Sequence, residues 1–440
     1  MEEINYRKAP DWVNGKNDID EVLFFAYFIQ KYPMIYVEGK FLNVDGEVDI
    51  DWLKRTVAEE IKPCMTRNVY KKVLTLIDAM KLYCFGGDSP LNDKTIHLKN
   101  GTLRTDGTFT EQKYFCRNRL NVSWIEYSEE QRSPKHFLEF LTELLEPQDI
   151  DTLQEYLGYC LIPSTRGQKM MFIIGSGGEG KSRIGVILQE IFGKSMLMGS
   201  FGRIENDKFF RYNLQNKLLM VDDDMQLEAL KSTGYIKGLV TAETPIDVEA
   251  KGIQSHPARL YSRFLCFSNG SPKTLYDKTY GFSRRLLILK TKPKQSRRID
   301  DPFIADSFIE EKDKIFRWMY DGLLRLIKNR YKFTESDRTR KNREEALAEN
   351  CNIIDFIADK DVISIGGNYK TSSTELYSAY CIWCGDNGLE ALRRDVVLNW
   401  LKMNQKRLGI TYTQNVISSY GKHIRGFSGI KLLKKFSSIK

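Results

Sequence analysis

The segment KMMFIIGSGGEGKSRIGVILQEIF, residues 169–192, runs from apolar residues into glycines, a lysine and a serine, and then into a helical pattern. Gly175, Gly180, Lys181 and Ser182 fit G-x-x-x-x-G-K-[ST], the spacing of a loop that wraps phosphates. Glycines let backbone N–H groups turn inward around phosphate oxygens, the lysine neutralises β/γ charge, and the serine hydroxyl ligates magnesium. The whole loop, Gly175, Ser176, Gly177, Gly178, Glu179, Gly180, Lys181 and Ser182, is therefore the expected nucleotide site. Its context agrees. KMMFII reads as a buried strand, Ile184, Ile187, Leu188 and Ile191 recur at helical spacing, and Gly193 stands where a C-cap belongs.

A phosphate loop needs a carboxylate at a neighbouring strand end to hold magnesium and the attacking water. NKLLMVDDDM supplies one: Leu218 to Val221 form a short buried strand, and Asp222, Asp223 and Asp224 follow it. Three adjacent carboxylates repel one another unless a cation or solvent relieves them. A third apolar strand, SRFLCFSN, ends on Asn269, placed to sense the γ-phosphate, although an Asn-Gly turn accounts for the same residues. Arg284 and Arg285 precede a further apolar strand. They suit an arginine finger that reaches the ATP of a neighbouring subunit, or equally a surface salt-bridge pair.

The elements that must hold these groups are legible in outline. From about Gln154 to Pro293 apolar strands alternate with helices, the pattern of an α/β domain. Before it, about Asp18 to Glu155 is mostly helical (VYKKVLTLIDAMKLYC, PKHFLEFLTELL), broken by the strand-and-turn segments MIYVEGKFLNVDGEV and IHLKNGTLRTDGTF. The charged run KFTESDRTRKNREEALAEN reads as a solvent-exposed helix or linker. Beyond it, Ser372 and Glu375 form a capping box that starts a helix, which Gly385 and Gly388 stop. A second helix, RRDVVLNWLKMN, and a two-stranded wing turning near Gly421 complete a winged-helix pattern, which serves DNA in many proteins and protein contacts in others. Cys381 and Cys384 share the buried face of the first helix, so core packing is preferred to a metal site.

Charge is uneven. The chain of 440 residues carries a net +9, yet residues 1–150 hold 20 basic against 25 acidic side chains, and residues 351–440 hold 13 against 7. The last forty residues contain nine basic and no acidic side chains. A basic C-terminal part suits a polyanion, nucleic acid above all, or simply a solvated tail. Hydrophobic residues at 42% exclude a disordered chain, and no apolar run approaches the ~20 residues of a membrane helix. Scattered cysteines and a start without an apolar core predict a cytoplasmic protein.

The ordered set GSGGEGKS, LLMVDDD, LVTAETPIDVEAKG, FLCFSN and GFSRRLLIL resembles the superfamily 3 helicases, more closely the phage and plasmid primase-helicases related to the poxvirus primase-helicase. The similarity extends through LKNGTLRTDG and LQEYLGYCLIPSTRGQKMMFIIG upstream and TSSTELYSAYCIWCGDNG downstream. It implies an AAA+ type core that assembles into a ring, usually a hexamer, and moves 3′ to 5′ on single-stranded DNA with ATP and magnesium. By this resemblance Gly175, Gly178, Gly180, Lys181 and Ser182 bind nucleotide, and Asp222 and Asp223 match the magnesium and catalytic carboxylates. Asn269 matches the first sensor, and Arg285, with Arg284 beside it, the finger. The segment from Ile246 to His256 matches a channel hairpin with Lys251 and Gly252 at its tip; an exposed turn lysine is the plainer alternative.

Patterning and resemblance together predict three domains: a mainly helical, collar-like N-terminal domain (1–150), the helicase core (151–335) and a basic winged-helix-like domain (336–440). Many relatives carry a primase before the core, and residues 1–150 do not match one, so primer synthesis is not expected and a separate primase or replication partner is. The acid pair is Asp-Asp where several relatives have glutamate, which leaves the base open between Asp222 and Asp223. The expected function is a replicative DNA helicase of a phage, plasmid or genomic island. The alternatives are an origin-binding initiator whose ATPase only switches assembly, and an AAA+ remodeller of protein complexes.

Overall fold

The computed structural model describes residues 10–15, 18–86, 91–225, 233–269, 280–294, 301–348, 352–389, 391–417 and 423–433. Among them the chain divides into two compact units, one running to Asn342 and one from Arg343 onward. No helix among the described residues is long and apolar enough to cross a membrane.

The centre of the first unit is a five-stranded parallel sheet. Its strands in chain order are β1 (Met170–Gly175), β2 (Met196–Met198), β3 (Leu219–Asp222), β4 (Arg263–Asn269) and β5 (Leu286–Lys290), and their spatial order is β2-β3-β4-β1-β5. Strands β1, β3 and β4 are near-continuous apolar runs because both faces of a parallel sheet are covered. The strand that follows β1 lies at the far edge, whereas β5 lies on β1's other side. The strand order thus reverses at β1, and the crevice beyond its carboxyl end is the place such sheets bind ligands.

Helix α1 (Pro147–Tyr159) and helix α3 (Lys312–Lys328) support the sheet. Their backbones touch: a Cβ built on Gly158 falls 2.3 Å from the Met319 carbonyl oxygen, and one on Gly322 falls 2.4 Å from that of Gln154. Only glycine fits there. From α1 the buried Tyr156 hydroxyl donates to the Phe264 carbonyl at 2.5 Å and accepts from its N–H at 3.1 Å, tying the helix to the start of β4. Helix α2 (Ser182–Phe192) buries Ile184, Ile187, Leu188 and Ile191, each contributing about 1.5–3 kcal/mol of apolar burial. It ends on Gly193 at φ 50°.

Residues upstream of β1 fall into two cores. Trp12 to Cys84 pack on one another, whereas Ile96, Leu103, Phe137 and Leu141 share a single core with the sheet and α3. The two strand-and-turn segments are short antiparallel meanders, Ile35–Glu47 and Thr95–Thr110. The charged run forms helix α4 (Asp337–Ala348), and its first half is docked rather than solvated. Asp149, fully buried, accepts from Ser336 Oγ at 2.9 Å and Thr339 Oγ1 at 3.0 Å, and Glu155 accepts from the Thr334 N–H at 2.7 Å.

In the second unit, Ser373–Asp386 is a helix with the capping box in place: Glu375 N–H donates to Ser372 Oγ, and Ser372 N–H to Glu375 Oε2, both at 3.1 Å. The helix passes through Gly385 and ends one residue later, with Gly388 beyond it at φ 65°. Cys384 is buried in the apolar core and Cys381 packs against it. The sheet has three strands rather than two. Ile363–Ser372 pairs with His423–Leu432, which also pairs with Thr411–Ile417. Gly366 and Gly367, both at positive φ, interrupt the alternation of the first of these and hide it from a periodicity reading. The expected turn at Gly421 and parts of the basic tail lie outside the described residues.

Candidate nucleotide site

Three strand ends converge beyond the carboxyl edge of the sheet. Register sets Asn269 of β4 beside Gly175 of β1, and Asp222 of β3 beside Cys266 of β4. The phosphate loop leaves β1 at Gly175 and enters α2 at Ser182, with Gly177, Gly178 and Gly180 at φ 105°, 80° and 96°. These left-handed angles turn successive N–H groups to one side, forming a concavity for anions. Gly175 leaves room for two side chains, since a Cβ there would fall 2.6 Å from both Lys181 Nζ and Thr291 Oγ1. Thr291 follows β5, was not anticipated from the sequence, and is held by its N–H donating to the Ile174 carbonyl at 2.8 Å.

Lys181 is buried and makes two polar contacts across the loop, donating to Glu179 Oε2 at 2.8 Å and to Asn269 Oδ1 at 3.1 Å. The Glu179 carboxylate also accepts from the Ser176 N–H and, at 3.0 Å to each oxygen, from the Gly177 N–H. Burial pushes its carboxyl up, but the hydrogen bonds from Lys181 and the loop amides outweigh burial and hold it below the usual glutamate value. The motif left this glutamate as an unspecified loop position. Its place two residues before Lys181 was the available signal.

The acids divide between two environments. Asp222 is buried and accepts from the Phe201 N–H at 2.6 Å; burial raises its carboxyl above the usual aspartate value against the pull of the Phe201 and Asp224 amides. Asp223 is exposed and lies toward α2, its Oδ1 3.9 Å from a Cβ built on Gly185. No group of three or more His, Cys, Asp or Glu side chains able to hold a metal occurs among the described residues. Ser182, Asp222 and Asp223 are the chain's candidates for magnesium.

Arg284 and Arg285 are elsewhere. Leu286 pairs with Met170 at the start of β1, so the arginines stand at the opposite end of the sheet from Gly175, about 20 Å away at about 3.3 Å per residue. Arg284 is exposed, while Arg285 Nη1 donates to the Gly281 carbonyl. Neither can serve the phosphate loop of its own chain. Ile246–Ala250 and Ile253–Ala258 form an antiparallel hairpin with exposed Lys251 and Gly252 at its turn, Gly252 at φ 75°. Beside it the Phe209 ring lies 5.0 Å from Lys208 Nζ and 5.9 Å from Lys251 Nζ, an aromatic and basic grouping that the sequence reading missed.

Residues 173–285 match a family of unknown function, DUF5906. That span opens inside β1, closes on Arg285, and contains every loop, acid, hairpin, sensor and arginine position described above. No curated protein matches the chain. Among solved structures, the apo structure of the NrS-1 C terminal region (305–718) is 13% identical with a TM-score of 0.51, covering 92% of this chain and 98% of that one. The A form apo structure of the same region has the same identity and TM-score, covering 93% and 100%. Along nearly its whole length the chain is thus similar in fold to the NrS-1 C terminal region, around an α/β core of the kind that binds nucleotides.

Proposed function

We propose that the chain is an ATP-dependent DNA helicase of superfamily 3 type that serves replication of a phage, plasmid or genomic island. The observation that carries this reading is the convergence of Lys181, Asn269 and the Asp222–Asp223 pair at one sheet edge, with the arginines at the other. ATP is the substrate, and its phosphates enter the concavity of Ser176 to Ser182, with Lys181 against the β/γ charge. Ser182 and the two aspartates would hold magnesium, which would supply charge neutralisation to the phosphates. The two aspartates take different parts. Asp223, solvated and facing α2, is the candidate base that orients the attacking water, and Asp222, fixed by the Phe201 amide, is the candidate metal ligand. Asn269 senses the γ-phosphate.

Because Arg284 and Arg285 stand too far from their own loop, the finger acts on a neighbouring subunit, and a ring, hexameric by the family resemblance, follows. Hydrolysis then moves the Lys251 hairpins along single-stranded DNA, with backbone contact and no reading of sequence. Strand displacement on forks with 3′ or 5′ tails tests this. Unwinding of one tail polarity by the native chain and by no Lys181→Ala sample supports it, and ATP turnover with no displacement on either fork overturns it. The basic second unit favours one other reading, an origin-binding initiator, which sequence-specific duplex binding that survives Lys181→Ala would select.

A further inference from the structure

The donors that would bind phosphate are already engaged. Ser176 N–H, Gly177 N–H and Lys181 Nζ converge on one group, the Glu179 carboxylate, which is 2% exposed while Lys181 is 5% exposed. Two backbone amides and an ammonium around a pair of anionic oxygens are the surroundings a phosphate oxygen pair needs. Each amide makes one strong hydrogen bond, so carboxylate and phosphate cannot hold the set together. Space is short as well. A Cβ built on Gly175 falls 2.6 Å from Lys181 Nζ and 2.8 Å from Glu179 Oε1, so the ion pair fills the loop down to the β1 backbone. Outside the loop there is room, since among the described residues nothing lies within 4 Å of a Cβ built on Gly178.

We infer that Glu179 is an internal competitor for the nucleotide: its carboxylate occupies the anion concavity of the nucleotide-free chain and must swing outward before a triphosphate can take Ser176 N–H, Gly177 N–H and Lys181. This rests on the nucleotide reading of the loop. The chain's affinity for nucleotide is then the intrinsic affinity multiplied by the small fraction of molecules whose glutamate has left. Neutralising or shortening residue 179 raises that fraction.

Calorimetric titration of the full chain with AMP-PNP and magnesium tests it, using Glu179→Gln, Glu179→Ala and Glu179→Asp beside the native chain. The aspartate keeps the charge and loses the reach, which separates occupancy of the loop from repulsion by any nearby carboxylate. All three variants are expected to bind AMP-PNP about tenfold or more tightly. Their melting midpoints without nucleotide fall, because the buried Lys181 ammonium loses its anionic partner, and rise more steeply when AMP-PNP is added. Affinity unchanged or lowered in the folded variants overturns the competitor role and leaves the nucleotide reading standing. If neither the native chain nor any variant binds AMP-PNP, the nucleotide reading itself has failed and the competitor role falls with it.

Discussion

Lys181 Nζ and Asn269 Oδ1 meet at 3.1 Å although 88 residues separate them in the chain. The contact is made by neighbouring strand ends, since Asn269 is in register with Gly175 at the root of the loop. Any change of charge at Lys181 is thereby felt by β4 directly. A nucleotide that drew Lys181 onto its phosphates would break or redirect this bond, which is how a side chain on one strand reports the occupancy of another.

Removing Lys181 should have two separable effects. Lys181→Ala is expected to weaken nucleotide binding at least about a hundredfold, because the loop loses the ammonium that faces the concavity. It also strips the buried Glu179 of that cation, at a cost of about 3–5 kcal/mol. Adding Glu179→Ala should recover most of the melting midpoint, while the affinity, although relieved of the competing carboxylate, stays well below that of the native chain because the ammonium is gone. A double variant as unstable as Lys181→Ala alone would contradict the buried pair.

Acid should act on Asp222 and Glu179 in opposite directions. The raised Asp222 value means that its contribution to stability is present below the usual aspartate range and is lost as pH rises through the raised value. At pH 7 the buried ionised carboxylate is a cost. Asp222→Asn keeps an acceptor for the Phe201 amide, so it should raise the midpoint of the nucleotide-free chain near pH 7 and abolish magnesium-dependent turnover. Glu179, whose value is depressed, contributes stability above the usual glutamate range that is lost as pH falls through its folded value. Melting curves from pH 3 to 8 check both, and an Asp222→Asn chain less stable at every pH contradicts the first.

The distance from Arg285 to its own phosphate loop predicts complementation between subunits. Arg285→Ala should bind nucleotide yet turn it over about a thousandfold more slowly, as loss of an arginine finger does. Mixing it with Lys181→Ala pairs an intact loop with an intact finger across some interfaces. ATP turnover in the mixture above that of either variant alone is expected. No recovery at any mixing ratio contradicts a site shared between chains.

At the hairpin, Lys251→Ala should weaken single-stranded DNA binding about equally for unrelated sequences and lower the slope of log affinity against log salt by about 1. Fluorescence anisotropy at several salt concentrations measures this. A loss confined to one sequence would move Lys251 from backbone contact to base reading.

The loop, its strand and its helix were legible because they are local: Gly175 to Ser182 carry their own geometry, and Ile184 to Ile191 their own periodicity. The Ser372–Glu375 capping box was legible for the same reason. What periodicity does not carry is pairing at long range. That Asn269 lies beside Gly175, and that Arg285 stands at the far end of the same sheet, follows from the strand order β2-β3-β4-β1-β5. The docked face of α4 was hidden because its buried residues, Thr339 and Asn342, are polar and are satisfied by Asp149 and the Ile288 carbonyl, so a charge count reads the segment as solvated. Glu179 was expected in the loop, but the direction of its side chain was hidden. Its position in the motif tolerates any residue, and only the folded loop shows the carboxylate turned inward.

Cleavage of ATP at Lys181 in order to act on DNA is tested most directly by steady-state ATP turnover with and without single-stranded DNA. The native chain is expected to hydrolyse ATP only with magnesium and several times faster with single-stranded DNA present, and Lys181→Ala to show no turnover in either condition. Turnover that ignores DNA, or that persists in Lys181→Ala, would contradict the account.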